Sequence, residues 1–167
     1  MNLGGTVAKL CGTGNHISGA SVNPLWEQGD ISGIAMTDAE GQFNGYVSGN
    51  RSFGNMWCNT AANVALTVTP FSTGNSTTDT GSFANSFDVK VTTNTSVYWS
   101  NAAGGVVETN GANASVNGNT NGAFETGLGQ YSGLVVEILP VIGSGGNNKR
   151  PVAGTYAGSI TLTATAN

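Results

Sequence analysis

The chain has 167 residues and a net charge of −4, a length for one domain or two very small ones and a charge that denies it the basic surface that nucleic acid or an anionic membrane requires. Only 8% of its residues are charged, against about 25% in an ordinary soluble domain, and 81 of them are Gly, Thr, Asn or Ser. No apolar run reaches the about 18 residues of a membrane-spanning helix, while three Trp, four Tyr and six Phe separate the chain from a disordered polar tract.

Gly or Asn interrupts nearly every window, so helix is scarce in this reading. Short alternating stretches bounded by Gly, Asn and Ser predict strands instead. Residues 2–10 are the first candidate, and residues 45–47 form a shorter one. Residues 64–69 alternate Val64, Leu66 and Val68 with Ala65, Thr67 and Thr69, and Pro70 stops them. Residues 86–91 place Phe87, Val89 and Val91 inward and Asp88 and Lys90 toward solvent. Residues 97–99 are short, and residues 101–122, rich in Asn, Ala and Gly, are expected to be a long polar loop. Residues 134–139 end at Pro140. A flexible stretch at 143–150 follows, and Pro151 precedes the last strand within residues 156–166. There Ile160, Leu162 and Ala164 share one face, and Thr161, Thr163 and Thr165 the other. Six or seven strands in one domain predict an all-β protein built as a β-sandwich.

Chemistry is sparse. His16 is the only histidine, too few for a multi-His metal site, and no serine lies in a G-x-S-x-G elbow. No phosphate loop or calcium loop is present. The close carboxylates Glu27 with Asp30, and Asp38 with Glu40, read as turn charges rather than a hydrolytic pair. No catalytic residue, metal or cofactor is expected. Cys11 and Cys58 are the only cysteines. They read as one disulfide of an exported domain, worth about 4 kcal/mol by loop closure, with two buried thiols as the alternative. No basic-then-apolar leader follows Met1. The composition favours a mature exported chain, restarted at Met1, over a cytosolic one.

Three segments together carry a resemblance. An alternating amino-terminal stretch, Leu3 to Leu10, runs into Cys11. A second cysteine, in Met56-Trp57-Cys58-Asn59, leads into the strand at 64–69. Near the end, Pro151-Val152-Ala153-Gly154-Thr155-Tyr156 enters the Thr-alternating last strand. The chain resembles the spore coat U and archaic chaperone–usher pilins, most specifically in Ala153 to Tyr156; residues 101–122 match nothing in that pattern. The resemblance implies an immunoglobulin-like β-sandwich that is incomplete and is completed by a donor strand from a neighbouring subunit. It implies a subunit of an extracellular, cell-surface filament or fimbria, with a periplasmic chaperone and an outer-membrane usher as assembly partners. The contact between subunits is head-to-tail and does not close. On this pattern residues 1–10 are the donor and residues 11–167 the pilin-like domain. Leu3, Gly5 and Val7 would enter the groove, and Ile160, Leu162 and Ala164 would line it. Residues 1–10 as the first strand of a complete sandwich is the competing reading of that segment. A competing function is a carbohydrate-binding surface or fimbrial tip module, in which Trp26 and Trp99 stack on sugar rings.

Overall fold

The computed structural model describes residues 4–13, 25–27, 33–48, 56–74, 82–93, 106–125, 134–139 and 149–167. Residues 97–99, His16 and most of the stretch at 143–150 lie outside them. The described chain is all-β, without helix. In order it forms β1 (Cys11–Thr13), β2 (Leu25–Glu27), β3 (Tyr46–Val47), β4 (Met56–Cys58), β5 (Ala62–Val68), β6 (Phe71–Ser72) and β7 (Phe83–Ala84). Then follow β8 (Ser86–Thr93), β9 (Val106–Glu108), β10 (Ala114–Asn119), β11 (Phe124–Glu125), β12 (Leu134–Leu139), β13 (Arg150–Pro151) and β14 (Ile160–Ala166). The four strands with the clearest alternation in the sequence became β5, β8, β12 and β14.

Two larger antiparallel sheets carry the fold. The first has the order β10-β5-β14-β2. The second has the order β3-β12-β8-β6, with β9 also paired to β8. Their facing sides form one core. From the first sheet come Val64, Leu66, Val68, Leu162 and Ala164, all without exposed surface. From the second come Val89, Val91, Val107 and Val136. Each such Val or Leu contributes about 1.5–3 kcal/mol by leaving water, and the period of two keeps them all on one face. This is a β-sandwich-like arrangement. A small sheet, β1-β4-β11, continues one end. There β11 with β4 keeps the register of β10 with β5, so the two ladders form one interrupted ribbon.

A second cluster sits under the other end of the sandwich. Phe87 stacks on Phe43 with ring centroids 4.4 Å apart. Tyr156 packs against Phe71 and Phe87 at 5.7 Å. The Tyr156 hydroxyl lies 2.9 Å from the carbonyl of Val152 and 3.0 Å from that of Ala84. A tyrosine bonding back to the main chain four residues upstream is the tyrosine-corner arrangement of β-sandwich domains. It gives a structural job to the segment Ala153 to Tyr156.

The chain passes from β5 to β6 at Pro70, alongside the approach to β14. Ser72 and Ala157 exchange two main-chain hydrogen bonds of 2.9 Å. Gly158 sits so close to this crossing that a Cβ there would lie 3.1 Å from the Pro70 carbonyl oxygen and 3.3 Å from that of Thr69.

Two expectations need correction. Residues 101–122 are not one loop, because β9 and β10 lie within them. They are joined by a tight turn at Asn110-Gly111, with φ of 44° and 80°. Ala112 N–H closes the turn on the Thr109 carbonyl at 2.8 Å. Two central residues at positive φ are the requirement of a type I′ turn, which Asn-Gly meets at least cost. Here the turn carries the chain from the second sheet to the first. Asp88, expected to face solvent, is 1% exposed. Its carboxylate accepts from Thr109 Oγ1 at 2.8 Å and from Gly111 N–H at 2.5 Å. The turn folds over the outer face of β8 and buries that side chain. Lys90 keeps its outward position on the same face. It bridges to Glu137 at 2.7 Å, with Glu108 as its cross-strand neighbour on the other side.

Candidate functional site

The site predicted from the sequence is an amino-terminal arm and the strand edge that would receive an arm from a neighbour. β1 pairs antiparallel with β4, placing Cys11 directly opposite Cys58. The two form a disulfide of 2.05 Å with Cα atoms 4.0 Å apart, and both residues are buried. The arm is therefore covalently anchored at its base to the strand that leads into β5.

Just beyond the disulfide, Asn59 holds the arm with three hydrogen bonds. Its main-chain N–H donates to the Leu10 carbonyl at 3.0 Å. Its side-chain Oδ1 accepts from Leu10 N–H at 2.7 Å, and its Nδ2 donates to the Ala8 carbonyl at 2.8 Å. No residue type in that position announces this role; the only signal in the sequence is an Asn following the second cysteine.

Residues 4–10 belong to no strand, and every one of them is exposed. The predicted strand at 2–10 is thus not formed within the chain over its described part, and regular pairing begins only at Cys11. Val7 is 87% exposed and Leu10 41%. Neither Gly4 nor Gly5 has any atom within 4 Å of where a Cβ would stand. Nothing among the described residues therefore requires glycine at those positions. Leu3 lies outside the described residues.

On the receiving side, Leu162 and Ala164 have no exposed surface and Ile160 is half-buried. Their inward face is covered by the chain's own core. β14 pairs along its full length with β5. On its other flank β2 pairs with Thr161, Leu162 and Thr163 only. Beyond them, the main chain of Ala164, Thr165 and Ala166 has no ladder partner on that flank among the described residues.

Trp26 falls in β2, in register with Leu162, and its side chain lies outside the described part, as does all of Trp99. Trp57, in β4 beside Cys58, is half-buried. The outward threonines of β14 meet a second threonine in one row only: Thr161 faces Thr67, whereas Thr163 faces Ala65 and Thr165 faces Asn63. The Asp38 and Glu40 carboxylates sit on an exposed turn, where Asp38 Oδ1 accepts from the N–H groups of Glu40 at 3.1 Å and Gln42 at 2.8 Å. That bonding closes a hairpin in which Gly41 takes a φ of 75°.

Glu137 beside Lys90, hydrogen-bonded to it, raises the lysine above its ordinary range, and Glu108 adds to the effect. Among the described residues there is no group of three His, Cys, Asp or Glu able to hold a metal ion, and no helix long and apolar enough to cross a membrane. No known family, characterised protein or solved structure matches the chain.

Proposed function

We propose that this protein is a structural subunit of an extracellular filament, assembled when the amino-terminal arm of one copy adds as a strand to a sheet edge of the next. The observation that carries this reading is the arm itself. It is a seven-residue described segment, exposed at every position, bearing a bare Val7, and covalently fixed at its base. An unpaired edge and a free segment of the same chain are complementary, because main-chain hydrogen bonds supply affinity and alternate side chains supply register. The arm of each copy serves the edge of the next, so the contact repeats head-to-tail.

Low charge and a disulfide-braced all-β body suit a passive exported building block. In this reading the body is an immunoglobulin-like pilin sandwich. A periplasmic chaperone shields the edge before assembly, and an outer-membrane usher passes subunits outward. The test is electron microscopy of the purified chain beside a variant lacking residues 2–7. That deletion leaves Ala8, Leu10 and their bonds to Asn59 in place. The full chain is expected to form heat-resistant fibres and the shortened one to remain monomeric. Fibres from the shortened chain overturn the proposal.

A further inference from the structure

We infer that Asn59 is a positioning residue for assembly: its side-chain amide stands in for a missing strand and launches the arm in extended form toward the next subunit. The inference rests on the filament reading above. In an antiparallel ladder that pairs Cys11 with Cys58, the next pair is Leu10 with Asn59. One of its two bonds is the expected one, from Asn59 N–H to the Leu10 carbonyl at 3.0 Å. The reciprocal bond goes to Asn59 Oδ1 at 2.7 Å instead of to the main-chain carbonyl. The same amide then reaches one step further and donates to the Ala8 carbonyl at 2.8 Å.

In a β-strand the polar groups of residues 8 and 10 point to one side. A single amide that donates to the carbonyl of one and accepts from the N–H of the other therefore matches an extended chain through Lys9. β1 ends its ladder at Cys11, yet the chain stays strand-like through Ala8 without a partner strand. The N–H and C=O of Lys9, which point away from Asn59, and the main chain of Gly4 to Val7 have no partner among the described residues and can pair elsewhere. Ser or Ala at position 59 would keep the main-chain bond and lose the clip. Asp would keep the acceptor and lose the donor.

Each exposed bond contributes a factor of about five. Asn59→Ala removes two of them and is therefore expected to speed hydrogen exchange of the Leu10 amide about 25-fold. It is also expected to slow fibre growth by a similar factor, because the strand-like arm is the competent state and its population falls. Asn59→Asp is expected to fall between the two. Fibre growth is followed by light scattering. In mixtures with a chain lacking residues 2–7, which can only receive an arm, the substitution should slow growth when placed in the donor and leave it unchanged when placed in the acceptor. Losing two bonds of about 1 kcal/mol each also lowers melting by about 4–8 °C, so the mixing experiment, in which only the donor is affected, is what separates positioning from general stability. Faster Leu10 exchange with growth at the wild-type rate overturns the assignment, and so does unchanged exchange. The deletion of residues 2–7 judges the filament reading separately: if that chain polymerises, the arm is not the link and the clip has no assembly to serve.

Discussion

Asp88→Ala is the sharpest test of the fold. From alternation alone, Asp88 lies on the solvent face of β8, and its loss would cost about 0.5 kcal/mol or less. In the structure it is 1% exposed and accepts from Thr109 Oγ1 and Gly111 N–H. Bonds to a charged acceptor contribute about 1.5–3 kcal/mol each. Removing the carboxylate leaves the buried Thr109 hydroxyl, which still accepts from Val89 N–H at 3.0 Å, with no acceptor for its own proton, while the exposed Gly111 N–H turns to water and the burial cost of the charge itself is relieved. The net expectation is a loss of about 3–5 kcal/mol. At about 2–4 °C per kcal/mol for a domain of this size, the melting temperature should fall by roughly 10 °C. Asp88→Asn keeps an acceptor oxygen and should lose about 1–2 kcal/mol. Urea unfolding with a thermal melt measures both. If the alanine variant melts within about 1 °C of wild type, the carboxylate is not clamping the turn and the reasoning fails.

Gly158→Ala should destabilise by about 1–3 kcal/mol, because the new Cβ meets two main-chain oxygens that cannot turn aside; a change below about 0.5 kcal/mol in a denaturant titration would show that the crossing yields. Replacing both Cys11 and Cys58 by serine should cost about 4 kcal/mol for a loop of 47 residues, read from the same titration. The Lys90–Glu137 pair should leave a mark at high pH. Since the folded lysine sits above its ordinary value of 10.5, its contribution is complete below that value and is lost as pH rises through the raised one. Stability compared at pH 8 and pH 11 should drop more in wild type than in Lys90→Met, and equal drops would remove the pair from the account.

Alternation in the sequence determined which segments are strands and which of their faces turn inward. Leu66, Val91, Val136 and Leu162 lie where a period of two puts them, because side chains on a strand point alternately whatever surrounds them. The two cysteines and the segment Ala153 to Tyr156 were also legible, the first as a bridge and the second as the entry to the last strand. The strand at 114–119 was not, because Asn, Gly and Ser carry weak strand preference and the pairing with β5 overrides it; nor was that at 106–108, because Val106-Val107-Glu108 is too short to show a period. The Asn110-Gly111 pair was the signal that lay unused.

What only the tertiary structure decided is what covers each face. Periodicity separates one side of a strand from the other but cannot say whether a turn from elsewhere folds over the outer side, as Thr109 and Gly111 do over Asp88. Nor can it say whether residues 4–10 find a partner within the chain. The clip from Asn59 to Ala8 spans 51 positions, and the bond from Thr109 to Asp88 spans 21. Local preference carries no information across such distances. Long-range hydrogen bonds of this kind are settled only when the sheets have met, and in this protein they are what hold the arm out and the turn down.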